Sequence, residues 1–296
     1  MRVVANGVGI EVDDCGPPGG EPLLLVMGLA MQLVAWPDEL VAALQARGFR
    51  VIRFDNRDIG LSQWFDELGV PSIGWAALRY TLRLPVRAPY ALADMAADTV
   101  GVLDALGIDR AHVCGASMGG MIAQHVAARH PQRVRSLTLM MTSSGDRRLP
   151  PPAPVVRRAL LRRPTGADRA AALEQMHRLL TMISSPAHRP DPTELTVRLQ
   201  AAMQRAFHPA GATRQLLAIA ADGDRSRLLR RIVAPTRVMH GRDDPLVRVA
   251  AAHDLVSKIA PAEIEVIPGW GHDLPQALLP RLADGIAHNA ARARQA

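Results

Sequence analysis

The stretch from Ala111 to Pro131 constrains this chain more than any other. Ala111-His112-Val113-Cys114 reads as a strand, and Gly115-Ala116-Ser117-Met118-Gly119-Gly120 reads as a tight turn. The residues that follow read as a helix that must stop near His130, because Pro131 disfavours helical geometry in the residue before it. A Gly-x-Ser-x-Gly turn between strand and helix is so sharp that the positions two before and two after the serine must lack bulky Cβ groups. Gly115 and Gly119 fill those places. Such a nucleophile elbow pushes the Ser117 hydroxyl out at the carboxyl end of a sheet. The following helix presents free backbone N–H groups, that of Met118 among them, to the same space, where they can hold an oxyanion. Ser117 is therefore a candidate nucleophile, with a plain packing turn as the alternative. A dinucleotide-binding loop would need Gly in place of Ser117 and an acidic residue after the next strand, where Met141 and Thr142 stand.

The rest of the chain supports an α/β architecture around this turn. Up to about residue 144, short β-branched or Leu-rich runs alternate with amphipathic segments, as parallel strands joined by helical crossovers do. Leu23 to Met27 is a continuous apolar run ending at Gly28, and Arg50 to Phe54 is a second strand. Between them a helix starts at Pro37, with Asp38 and Glu39 in its first turn, and ends at Gly48. Residues 91 to 106 place Leu92, Met95, Ala96, Thr99, Val102, Leu103 and Leu106 on one helical stripe and Asp94 and Asp98 on another. Val134 to Met141 is a further strand. The rhythm breaks at Pro150-Pro151-Pro152-Ala153-Pro154, after which only helical stripes follow, such as Leu173, Met176, Leu179 and Leu180. Strands resume at Thr236 to His240 and Glu263 to Ile267, and a last helix starts near Gln276.

Composition removes several classes. With 48% hydrophobic residues in 296, the chain can bury a large core, which excludes disorder. The net charge of +7 comes almost wholly from arginine, since Lys258 is the only lysine. The arginines form no block and do not interleave with aromatics, so a nucleic-acid partner is not expected. Cys15 and Cys114 have no partners at metal-ligand spacing, so neither a disulfide framework nor a zinc site is expected, and a cytoplasmic setting is the default. No export signal is visible at the N-terminus. The longest apolar run, Pro22 to Trp36 with Gly28 and Gln32 inside it, falls short of the ~20 residues needed to span a bilayer. Arg147, Arg148, Arg157, Arg158, Arg162 and Arg163 crowd the start of the helical region beside Val155, Val156, Leu160 and Leu161. A solvated helical face with snorkelling arginines is preferred there over an anionic-lipid surface.

Met27-Gly28-Leu29, Phe54 to Ser62, Gly115 to Gly120, His240-Gly241-Arg242-Asp243-Asp244-Pro245 and Gly269 to Pro275 together resemble the α/β-hydrolase superfamily. Within it, they resemble the bacterial serine esterases of the aclacinomycin methylesterase branch. The resemblance implies a mostly parallel central sheet flanked by helices, with residues 1–144 and 232–296 as two core segments and 145–231 as an inserted helical cap. It also implies roles for individual residues. A serine hydroxyl needs an imidazole to take its proton. Among the ten histidines, His272 follows the last strand in the loop that in this fold reaches the nucleophile. His112 reads as a hydrogen-bonded core residue, His125 and His130 as facing away from the elbow, and His177, His188 and His208 as surface residues of the insertion. The acid that orients the imidazole follows the strand ending at His240, where both Asp243 and Asp244 stand. The family position falls on Asp244, with Asp146 an outside alternative. The family's second oxyanion donor falls on the backbone N–H of Leu29, beside Met118. The charged stretch Asp55 to Gly60 shapes a loop beneath the site.

The resulting expectation is a serine hydrolase without metal or cofactor. It would act on carboxylic esters of an apolar small molecule through an acyl-enzyme, with Ser117, His272 and Asp244 as the triad. Thioesterase, lipase, carbon–carbon bond hydrolase and cofactor-free perhydrolase chemistry use the same three side chains. A non-catalytic binding protein on the same fold is the competitor from another class. Haloalkane dehalogenase and epoxide hydrolase chemistry need a carboxylate where Ser117 stands.

Overall fold

A computed structural model describes the chain except residues 18, 71, 162–167 and 296. The described residues form one eight-stranded sheet whose spatial order follows from β1 (Arg2–Ala5), β2 (Val8–Cys15), β3 (Glu21–Val26), β4 (Phe49–Phe54), β5 (Ala111–Ala116), β6 (Val134–Met140), β7 (Thr236–Gly241) and β8 (Ala262–Ile267). That order is β1-β2-β4-β3-β5-β6-β7-β8. Strands β3 to β8 pair in parallel, and only the β1–β2 hairpin and the β2–β4 pair run antiparallel. The sequence reading contains neither β1 nor β2. Their signal was the alternation of Val8, Ile10 and Val12, all buried, with more exposed Gly9, Glu11 and Asp13.

Both faces of the sheet are covered, which is why its central strands read as unbroken apolar runs. In β3, Leu24 and Val26 face one layer while Leu23 and Leu25 face the other. The first layer holds α3 (Leu92–Ala105), α4 (Met118–Arg129) and α10 (Ala250–Lys258) through Met95, Leu103, Ile122, Val126 and Leu255. The second holds α1 (Asp38–Gln45) and α11 (Leu279–Gln295) through Leu40, Leu44, Leu282 and Ile286. Burying such a Leu or Ile contributes about 1.5–3 kcal/mol, so the two layers supply most of the drive to fold. Between β4 and α3 lies a short helix, α2 (Ile73–Thr81).

Between β6 and β7 the described residues contain no strand. They form α5 (Pro154–Leu161), α6 (Arg169–Ile183), α7 (Pro192–Arg205), α8 (Pro209–Asp222) and α9 (Ser226–Leu229). Local chemistry starts two of these helices. The Asp168 carboxylate accepts from Ala170 N–H, and Asp191 accepts from Thr193 and Glu194 N–H ahead of Pro192. Of the arginines crowding this region, Arg162 and Arg163 lie outside the described residues. Arg147 stacks on the Tyr80 ring, and Arg157 and Arg158 are exposed. No described helix is long and apolar enough to cross a membrane.

Two residues depart from the sequence reading. Asp98, placed there on a stripe apart from the core face, is buried: Arg57 grips it through two hydrogen bonds of 2.6 and 2.7 Å, and Asn6 adds a third. His208 is not a free surface residue. It lies flat on Trp64 with ring centroids 4.1 Å apart, and it bonds the Asp58 carbonyl and the Asp66 carboxylate.

His112 sits in β5, where its Nδ1 meets Ser136 Oγ at 2.8 Å. Burial pushes its imidazole down from the ordinary 6.5 to about 4. Between those values the unfolded chain binds the proton that the folded chain refuses, so stability rises with pH across that window and is lost on acidification through it. The urea unfolding midpoint is expected to fall between pH 7 and pH 5, and His112→Gln should flatten that slope. An unchanged slope in the variant would show that other groups set it.

Candidate active site

The turn after β5 is the steric centre of the site. Ser117 has φ 54° and ψ −119°, a region that only a heavily constrained non-glycine residue occupies. The constraint is visible on all sides. The Ser117 N–H donates to the Met140 carbonyl at 2.9 Å, and Thr142 Oγ1 donates to the Ser117 carbonyl at 2.7 Å. A Cβ on Gly119 would lie 1.9 Å from the Val26 carbonyl oxygen, and one on Gly115 would lie 2.3 Å from the Gly119 carbonyl oxygen. The two glycines are what let the first turn of α4 press against the ends of β3 and β5.

Around this turn three distant parts of the chain meet. His272, in the loop after β8, holds Nε2 3.0 Å from Ser117 Oγ and Nδ1 2.7 Å from Asp244 Oδ2. A proton on Nδ1 satisfies both contacts: Nδ1–H donates to the carboxylate, and the bare Nε2 accepts from the serine hydroxyl. Asp244 is buried, and its other oxygen accepts from Leu246 N–H and Val247 N–H at 2.8 Å each, which fixes the carboxylate. His240, at the end of β7, was not singled out in sequence. It stands 3.5 Å from Asp244 Oδ2 and bonds the Val247 carbonyl at 2.7 Å, and burial holds its imidazole below the ordinary range.

The alternative acids are engaged elsewhere. Asp243 accepts from Gly269 N–H at 2.7 Å. Asp146 is gripped by Arg148 and Lys258, and Arg148 above all holds its carboxyl well below the usual range. Of the remaining histidines, His125 pairs with Asp222 of α8 at 2.8 Å.

The N–H of Met118 opens α4, where no intrahelical acceptor exists. The N–H of Leu29 lies in the loop after β3. Among the described residues, neither meets an acceptor. That loop abuts the serine, since a Cβ on Gly28 would come within 3.2 Å of Ser117 Cβ. Among the described residues no group of three His, Cys, Asp or Glu is placed to hold a metal ion.

The loop carrying His272 is held from the helical region. His272 N–H donates to the Ile183 carbonyl at 2.7 Å, Gly271 N–H donates to Ser185 Oγ at 3.0 Å, and Ser185 N–H donates to Asp273 at 3.1 Å. Ser185 carries no signal of this role in the sequence, because nothing local to it points to a partner near residue 272. Likewise, the Asp55 to Gly60 loop acts as a polar frame. Asp58 meets the buried Arg214 at 2.8 Å through both oxygens, and Asn56 Nδ2 donates to the Met27 carbonyl at 3.0 Å. Burial pushes the Asp58 carboxyl up, but Arg214, Phe65 N–H and Tyr90 outweigh it and hold it below the ordinary range.

Residues 21–275 match the alpha/beta hydrolase fold family. The chain is similar to rhodomycin D methylesterase of Streptomyces peucetius, 28% identical with 98% of each chain covered. It is also similar to a 2-hydroxy-6-oxononadienedioate/2-hydroxy-6-oxononatrienedioate hydrolase of Paraburkholderia phymatum, 34% identical over 92% of this chain and 88% of the relative. Among solved structures, a meta-cleavage product hydrolase from Pseudomonas fluorescens superposes with a TM-score of 0.77 at 20% identity, covering 99% of this chain and 98% of that one. This last likeness is one of fold.

Gly119→Ala tests the steric account of the turn. Its Cβ would overlap main chain that cannot move without opening the sheet, so a loss of about 2 kcal/mol or more, or failure to fold, is expected. Thermal unfolding measures it, and a midpoint equal to that of the parent would refute the close approach.

Proposed function

The chain belongs to the alpha/beta hydrolase fold family, and from that premise we propose that it is a serine hydrolase cleaving carboxylic esters of an apolar small molecule. The observation that carries this reading is the unbroken hydrogen-bonded line from Ser117 through His272 to buried Asp244. In the proposed reaction, Ser117 Oγ attacks the ester carbonyl as its proton passes to His272 Nε2, and Asp244 stabilises the imidazolium that forms. The carbonyl oxygen becomes an oxyanion held by the N–H groups of Leu29 and Met118, and a single such donor is typically worth about 10²–10³ in turnover. Collapse of the tetrahedral adduct breaks the carbon–oxygen bond, and His272 returns the proton to the departing alcohol. Water, activated in turn by His272, then releases the acid and restores Ser117. Residues 145–231 act as a cap over this site, and their Leu and Met content suits a substrate with a sizeable apolar part.

A second reading, hydrolysis of a carbon–carbon bond, is favoured by the relative named for a dienedioate. A dicarboxylate substrate calls for unpaired cations. The buried arginines that frame the site loops, Arg57 and Arg214, are matched to Asp98 and Asp58, and the half-buried Arg205 is matched to Asp55. That pairing weighs toward a neutral, apolar ester.

Ser117→Ala is expected to lower ester turnover by about 10⁴ or more at an unchanged unfolding midpoint, because the hydroxyl acts only in the chemical steps. A residual rate within tenfold of the parent rejects the assignment. A fluorophosphonate should label Ser117 in the folded protein. Rates across p-nitrophenyl esters of rising acyl length, methyl esters and a meta-cleavage dicarboxylate separate the two readings: faster turnover of the dicarboxylate would establish the second.

A further inference from the structure

The loop that carries Leu29 is strained. Ala30, the next residue, has φ 61°, a left-handed conformation that a residue with a Cβ holds only where its surroundings enforce it. The enforcing contact comes from the helical region. The Ala30 N–H donates to Oε1 of Gln215 at 3.0 Å, and Nε2 of the same side chain donates to the Arg57 carbonyl at 2.8 Å. Gln215 is fully buried on α8, beside the Arg214 that clamps Asp58. One amide therefore ties the loop after β3 to the loop after β4, with donor and acceptor both used.

The peptide between Gly28 and Leu29 is held on both flanks. On one side Asn56 donates to the Met27 carbonyl, and on the other Gln215 takes the Ala30 N–H. With both neighbouring peptides pinned, the peptide that carries the Leu29 N–H is restrained from turning. Farther along the loop, Gln32 donates to the carbonyls of Ala202 and Ala206 at 2.6 and 2.9 Å, and Arg205 bridges Gln32 to Asp55 at 2.6 and 2.7 Å. These contacts anchor the loop but lie beyond the donor peptide. A buried amide is expensive to place without partners, and here both its oxygen and its nitrogen have one.

We propose that Gln215 is a positioning residue for oxyanion binding: from α8 it locks the Leu29–Ala30 segment so that the Leu29 N–H points at the oxygen on which charge develops. This rests on the serine-hydrolase reading above. The segment bearing α8 is then a structural part of the reaction centre as well as a cover over it.

Gln215→Met keeps the length and bulk of the side chain and removes both hydrogen bonds. It is expected to lower kcat about tenfold or more with KM within about twofold, because a preorganised donor is felt mainly in the transition state. Affinity for a tetrahedral mimic, a boronic acid or a trifluoromethyl ketone, should fall by a similar factor, while affinity for the product acid stays level. Gln215→Glu keeps an acceptor for Ala30, so it should lose less, and it carries the test if Gln215→Met does not fold. Equal losses of mimic and product affinity, or kcat within twofold of the parent while Ser117→Ala is inactive, would overturn the inference and leave the serine-hydrolase reading standing. An active Ser117→Ala would remove that reading and this inference with it.

Discussion

The backbone turn at Ser117 is the constraint on which everything else depends. A non-glycine residue at φ 54° is held only where the chain cannot relax, and here the sheet on one side and the first turn of α4 on the other leave it no room. The same compression that strains the turn exposes the hydroxyl and brings the Met118 N–H to its side. Relaxing it would bury the first and turn away the second. The strain and the chemistry proposed for the site are therefore one feature, and the hydrogen bonds to Met140 and Thr142 are what hold it.

A second level of organisation comes from the helices between β6 and β7. They reach into the core at two places: Ile183 and Ser185 take up the loop of His272, and Gln215 with Arg205 takes up the loop of Leu29. Much of this contact is buried and polar. Replacing Arg214 would leave the buried Asp58 carboxylate without its guanidinium, and breaking a buried pair in this way typically costs about 3–5 kcal/mol, so such contacts fix one arrangement and reject others more than they add stability. The helical region and the sheet thus share a single polar frame around the serine.

The parts of this arrangement that could be read in the sequence are those with local causes. Gly-x-Ser-x-Gly between an apolar run and a helix follows from sterics within a few residues. The parallel strands announce themselves as apolar runs because helices cover both faces. The edge hairpin of β1 and β2 is harder to read because its alternation stops at Asp14, where an apolar residue would continue it. Asp98 reads as lying off the core face because its burial depends on Arg57, far away in sequence. Arg214 and Gln215 were passed over for the same reason, although both interrupt the apolar face that Gly211, Leu217 and Ala218 make on α8. Polar residues at core spacing were the available signal.

By itself, then, the sequence determined the α/β class, the alternation of strands and helices, and the serine in its turn, since each of these depends on the periodicity and backbone sterics of neighbouring residues. The tertiary structure decided which carboxylate meets His272, where Asp98 and His208 go, and that α8 holds the loop of Leu29. Those are distances between groups brought together from all along the chain, and a hydrogen bond reaching only about 3 Å leaves no trace in the spacing of residues along the polymer.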